Sequence, residues 1–437
     1  MDRDLISERI RGWIEGHRDE SVALASDLVR IPSVNHPPNG NEFAYQSFFA
    51  DRLRSMGAEV TVYELDNVPG LREHPAYMSG RNYTNRPNVH GKFPGKGEGR
   101  SLVFSGHADT VYEGVEPWRD GPFNGTIRDG KLFGRGSYDM KGGMAAALEA
   151  VRCLNECGIP LNGTVYIESV VDEEHGGANG TLAGRLMGIN PDMAIIPEPT
   201  NLVPYSGHLG GGIWKAEFSG KSGIGFNGEE LISALDATVS FAMLLQKFKK
   251  RLNKLVKPHS LWSHTGRGID AVALSILSGD TKRELQEKLP ADGKLNFWIE
   301  GYPGMTERQM IGMLQEFYES ELPNFPILEK CRPHFTPLIR YLSGSVMIAG
   351  ERTDRFLDAV KRAGTIALGR EPGPPQGAPF ACDGFMFNLY SPTPALVLGP
   401  SGSNAHAADE QMDLDSYSML IRWYAEIMVD WCGVGGE

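Results

Sequence analysis

Residues 163–177 read GTVYIESVVDEEHGG. The first nine are apolar and rich in β-branched side chains, the pattern of a strand buried on both faces. Three carboxylates in succession (Asp172, Glu173, Glu174) then run towards Gly176 and Gly177. Like charges crowded at a strand end repel, and burial worsens the repulsion. The triplet is thus either a solvated acidic turn, as most such runs are, or a place where something positive compensates it.

Upstream, 140–158 (MKGGMAAALEAVRCLNECG) has helical periodicity and stops at Gly158, a C-cap. Ahead of it, SLVFSG (101–106) is a second buried strand. Helices are expected over the first 30 residues and over 41–57, with strand alternation in AEVTVYEL (58–65). Strands alternating with helices imply an α/β sheet covered on both faces, in which ligands bind beyond the carboxyl ends of the strands. From about residue 207 the texture changes. A strand (IWKAEFSG), a long helix near 229–253, two more strands (AVALSIL, KLNFWIEG) and a helix (TERQMIGMLQEFYES) suggest an α+β unit with helices on one sheet face. After about 346 the first texture returns in RTDRFLDAVKRAGTIALG and PTPALVLGP. The expectation is one domain inserted in another: 1–211 and 346–437 form the outer domain, and 212–345 the insert.

At 437 residues the chain exceeds one ordinary core, and 41% apolar with 22% charged residues is a globular composition. A net charge of −12 argues against nucleic acid and anionic membranes as partners. The one basic run, KFKKRLNKLVK (247–257), reads as the solvated end of a helix. Five scattered cysteines fit buried free thiols in a reducing compartment. The amino-terminal segment has no apolar core of a secretory signal, and no run of 18 apolar residues exists, so a cytoplasmic protein is expected.

Four further short stretches stand at predicted strand ends or in loops. SLVFSG runs into His107-Ala-Asp109, where a carboxylate two residues from an imidazole can hold its far nitrogen, as in many metal-ligating histidines. LFGRGSYDMKGG presents Asp139 at a glycine-rich turn before a helix, as an N-cap or as a ligand. MAIIPEPT frames Glu198 between two prolines, and GPSGSNAHAADEQ carries His406 in a loop after a strand. Each is weak alone. Together they set two histidines and several carboxylates where an α/β sheet would gather them into one site.

SGHADTV, GRGSYDMKGG, DEEHGG, PEPT and AHAADE resemble, in order and spacing, the signature of the M20 metallopeptidase and deacylase family. That family includes acetylornithine deacetylase, succinyl-diaminopimelate desuccinylase, aminoacylase-1 and glutamate carboxypeptidases. The resemblance implies a mixed-sheet α/β metallohydrolase catalytic domain with an inserted α+β lid domain that forms a homodimer. It implies that His107, Asp139 and Glu198 hold one divalent ion and that Asp139, Glu174 and His406 hold a second, with Asp139 bridging. Asp109 would orient His107, Glu173 would be the general base, and the Asp139–Met140 bond would be cis. Mixed nitrogen and oxygen ligands suit Zn²⁺ foremost, and also Mn²⁺ or Co²⁺, one or two per subunit. Adjacent residues of an extended chain point opposite ways, so Glu174 can face an ion while Glu173 faces the cleft if Gly176 and Gly177 let the backbone turn.

Two positions depart from the family pattern. SGKSGIGFNGEE has Ile224 where the lid histidine that stabilises the oxyanion is expected, and IEGYPG has Glu300 in place of an arginine. His208, His264, His334 and Arg340 are unassigned candidates to replace them. The implied activity is hydrolysis of a C–N bond in a small molecule, as an N-acyl amino acid deacylase or carboxypeptidase. The departures raise the weight of an aminohydrolase that releases ammonia from an aromatic amine. A third reading, an inactive member kept as a binding or scaffold protein, is opposed by the intact ligand set and base.

Overall fold

The computed structural model of the chain describes residues 2–176 and 178–435. Gly177, expected to share in the turn after the acidic triplet, lies outside the described residues. The chain divides into two compact units. One comprises Met1–Gly207, Val346–Ala378 and Asp383–Glu437; the other comprises His208–Ser345 and Pro379–Cys382.

The first unit is α/β. Its sheet runs in the order Ser345–Val346, Tyr205–His208, Ala395–Val397, Met193–Ile196, Leu102–His107, Val165–Val170, Asn88–Phe93, Glu59–Tyr63, with Gln376–Ala378 against Tyr205–His208. The four strands Ala395–Val397, Met193–Ile196, Leu102–His107 and Val165–Val170 are parallel, and the flanking pairs are antiparallel. Every residue of Leu102–His107 is buried, which is why its apolar start, Leu102-Val103-Phe104, does not alternate with polar side chains. Helices Arg18–Arg30, Lys141–Glu156, Glu351–Leu368 and Leu414–Cys432 pack together over one large apolar core. Leu414–Cys432 buries Trp423, Tyr424, Ile427, Met428 and Trp431, and Trp423 Nε1–H donates to the Val360 carbonyl at 2.9 Å.

The second unit is α+β. Four antiparallel strands lie in the order Ala271–Ser278, Asp292–Gly301, Gly210–Ser219, His334–Leu342. Trp214, Ala216 and Phe218, then Leu295, Phe297 and Ile299, alternate onto one buried face. Helix Ala234–Leu255 meets that core with Phe241, Leu244, Leu245, Phe248 and Leu252, at helical spacing, and helix Glu307–Glu321 adds Met310, Leu314 and Tyr318. Lys247 and Lys249 of the basic run pair with Glu321 and Asp270, as expected of a solvated helix end. No described helix is long and apolar enough to cross a membrane, and all five cysteines are free and buried.

Candidate metal centre

The parallel strands point their carboxyl ends the same way, and the expected residues stand there. His107 ends strand Leu102–His107, the acidic triplet follows Val165–Val170, and Glu198 follows Met193–Ile196. Asp139 precedes helix Lys141–Glu156, across a cis Asp139–Met140 bond. The glycines after Met140 have a steric purpose. A Cβ at Gly143 would stand 2.0 Å from the Pro197 carbonyl oxygen, and one at Gly142 would stand 2.3 Å from the Ser137 carbonyl oxygen. Their absence lets the helix start close beside the chain that delivers Glu198.

The five side chains converge in two groups that share Asp139. His107 Nε2 is 3.3 Å from Asp139 Oδ1 and 3.5 Å from Glu198 Oε1. His406 Nε2 is 3.2 Å from Asp139 Oδ2 and 3.0 Å from Glu174 Oε2. Both triads, His107–Asp139–Glu198 and Asp139–Glu174–His406, are compact enough for each to hold a metal ion. His107, Glu198 and Glu173 are buried, whereas the His406 side chain is 53% exposed.

The tautomer of His107 shows what the first group can bind. Its Nδ1 is 2.8 Å from the Asp109 main-chain carbonyl, which can only accept, so Nδ1 carries the proton. In a neutral ring, Nε2 then turns a lone pair towards the Asp139 and Glu198 carboxylates. Asp139 Oδ1 is buried and, among the described residues, accepts no hydrogen bond of good geometry. Acceptors facing acceptors in a buried site need a proton or a cation between them. The groups also act strongly on one another. Burial would lower the affinity of His107 for a proton, but Glu198 and Asp139 outweigh it and hold the imidazole well above its usual range. Burial, then the Asp139 charge, pushes Glu198 up to about 8. Burial also raises Glu173, against the opposing pull of His107. Divalent ions fit this donor set: two imidazoles and three carboxylates, with one carboxylate placed to serve both groups.

The acidic triplet separates three ways. Asp172 turns inward in a left-handed conformation (φ 68°), accepts from Asn35 and Tyr83, and forms an ion pair with Arg81 at 3.2 Å. Glu174 meets His406 and accepts the Val111 N–H at 3.3 Å. Glu173 lies 3.9 Å from His107 Nε2. The expected role of Asp109 is divided differently from the sequence reading. Its carbonyl, not its carboxylate, holds His107, and the carboxylate accepts the N–H groups of Glu173 (3.2 Å) and Glu174 (3.1 Å).

Two further carboxylates were not anticipated. Glu410 Oε1 accepts the N–H groups of Gly136, Tyr138 and Asp139 at 2.9–3.0 Å, while Oε2 pairs with Arg135 at 2.6 Å. It ties the Asp139 loop to the His406 loop. It lies in the same stretch, AHAADE, as His406, but nothing in its spacing separates it from a surface acid. Asp383 is buried, accepts from the Thr181 hydroxyl, and stands within 4.8 Å of Glu173 and Glu198; an N-cap aspartate is all its sequence suggests.

In the second unit, Glu300 accepts two N–H groups of Arg267 (2.7 and 3.2 Å) and the Asp270 N–H (2.8 Å), so its charge is locally balanced. His208, buried, donates through Nδ1 to the Leu209 carbonyl and meets the Ser345 hydroxyl through Nε2. His264 Nδ1 bonds the Leu261 carbonyl.

Residues 103–430 match the model of peptidase family M20/M25/M40. The chain belongs to that family, a class of metal-dependent hydrolases acting on C–N bonds. It is 25% identical over 468 aligned positions, covering 99% of both chains, to N-formyl-4-amino-5-aminomethyl-2-methylpyrimidine deformylase of Bacillus subtilis. It is 35% identical to succinyl-diaminopimelate desuccinylase of Methylobacterium radiotolerans over 188 positions, 42% of this chain and 43% of that one. Among solved structures it shares the fold of human carnosine dipeptidase 1, with a TM-score of 0.73, 15% identity and coverage of 98% of this chain and 99% of the other.

Proposed function

We propose that this enzyme removes a small acyl group from the nitrogen of a small-molecule amine, with water as the acceptor. His107, Asp139 and Glu198 would hold one divalent ion, Asp139, Glu174 and His406 a second, and Zn²⁺ suits the donors best. Ions so held supply Lewis-acid polarisation of the acyl oxygen and a lowered pKa for water. Glu173 is the general base in this reading: it takes the proton from water and returns it to the departing nitrogen. The observation that carries the reading is the split of the triplet, which aims Glu174 at one triad and sets Glu173 beside the other.

The full-length likeness to a deformylase favours a formyl or similarly small acyl group over a peptide. The test is a panel of N-formyl amines, N-succinyl amino acids and aromatic amines, with released formate, succinate and ammonia measured on Zn²⁺-loaded protein. Formate release would support the proposal, and ammonia release alone would shift it to an aminohydrolase.

The second unit fits a lid and homodimerisation domain, with residues 212–345 as its body. Among the described residues strand Ala271–Ser278 has an unpaired edge; it exposes Val272, Leu274 and Ile276, and helix Ala234–Leu255 exposes Leu235, Val239 and Met243. An open apolar edge of this kind is a template for a second copy. Free buried cysteines fit a reducing, cytoplasmic setting.

A further inference from the structure

We infer that Asn35 is a positioning residue for the acidic turn: its single amide nitrogen bridges Asp109 and Asp172 and thereby fixes where Glu173 and Glu174 point. The inference deepens the proposed function, because the turn it braces carries the base and one ligand of that reading.

Asn35 is 1% exposed and lies on a segment laced to the loop after His107. Ser33 Oγ donates to the Ala108 carbonyl at 2.6 Å, the Thr110 N–H to the Ser33 carbonyl at 3.0 Å, and the Asn35 N–H to the Thr110 carbonyl at 2.9 Å. From this frame Nδ2 reaches Asp109 Oδ2 at 2.8 Å and Asp172 Oδ1 at 3.0 Å. Both partners are carboxylates that only accept, so the nitrogen must face them, and its two protons are both used. Asn35 Oδ1 is buried and has no hydrogen-bond partner among the described residues, so the side chain serves by its donor end.

The consequence is mechanical. Asp109 grips the turn by the N–H groups of Glu173 and Glu174, and Asp172 anchors its start in a left-handed conformation. Asp172 at the start of the turn and Asp109 gripping it from the neighbouring loop are two buried carboxylates that would repel one another without a shared donor. Asparagine alone meets the need: aspartate would add a third anion, glutamine is one methylene too long, and alanine donates nothing.

The test compares Asn35→Ala and Asn35→Asp with Tyr417→Phe, which removes a different buried hydrogen bond, from Tyr417 to the Ser21 carbonyl. Amide hydrogen exchange of Glu173 and Glu174 is followed in metal-free protein, and Zn²⁺ affinity by chelator competition. The expected result is exchange at least about tenfold faster at those two amides and Zn²⁺ bound roughly 10–100-fold more weakly in both Asn35 variants, with Tyr417→Phe like wild type in both. Unchanged exchange in the Asn35 variants, or equal acceleration in Tyr417→Phe, overturns the inference. Wild-type protein that takes up no Zn²⁺ would instead refute the metal reading, while the exchange comparison would still decide the role of Asn35.

Discussion

Glu173 and Glu174 are neighbours in sequence and stand in different surroundings in space. Glu174 is satisfied by His406 and a backbone N–H, whereas Glu173 has no hydrogen bond to its carboxylate among the described contacts and sits beside His107. A base must keep a lone pair for its proton, so this is the right side chain to be left unengaged. Glu173→Gln keeps the volume and removes the basicity. Turnover should fall by at least about a hundredfold, the lower bound for losing a general base, while bound zinc measured by emission spectroscopy stays at the wild-type level. Near-normal turnover would remove Glu173 from the role, and lost zinc would make it a ligand.

At the scale of elements, the site depends on how closely a helix can approach a strand end. Gly143 lies against the Pro197 carbonyl, a main-chain atom with no rotamer to yield, next to Glu198. Gly143→Ala should destabilise the fold by roughly 1–3 kcal/mol, as overpacking does, and weaken zinc binding by separating Glu198 from Asp139; denaturant midpoints and chelator competition check the two effects. His208 makes the corresponding point in the second unit. Burial depresses its proton affinity from the ordinary 6.5 to about 4, so the unfolded chain binds a proton that the folded one refuses. Its contribution is therefore complete above about pH 6.5 and is lost as pH falls towards 4, by about 3 kcal/mol in all. His208→Gln should flatten the acid limb of stability over that window, and an unchanged limb would contradict this. These elements also show what the sequence disclosed. Strand Leu102–His107 and helix Lys141–Glu156 are legible because burial on both faces opens the one with an unbroken apolar run, Leu102–Phe104, and a cap ends the other. The first 30 residues read as one helix but form two, Arg3–Gly16 and Arg18–Arg30, which part at His17 directly after Gly16; the apolar periodicity continues across the junction and hides it. Strand His334–Leu342 was missed, for its burial pattern has no period-2 alternation and Pro337 lies within it. The five clustered side chains could be named from local motifs; Asn35, Glu410 and Asp383 could not, since their roles rest on partners 74, 271 and 202 positions away.

For the whole molecule, assembly and metal content are the properties to measure. Ile276 is 43% exposed on the edge strand, where a charge would oppose pairing with a second copy. Ile276→Glu should convert a dimer to a monomer in sedimentation velocity, and wild-type protein that is already monomeric would remove the dimer from the account. The central claim is the caged pair of ions. The most direct measurement is anomalous diffraction at the zinc edge from crystals of Zn²⁺-loaded protein. Two peaks about 3.5–4 Å apart are expected, one bounded by His107, Asp139 and Glu198 and the other by Asp139, Glu174 and His406. Peaks elsewhere, or none at these five side chains, would contradict it.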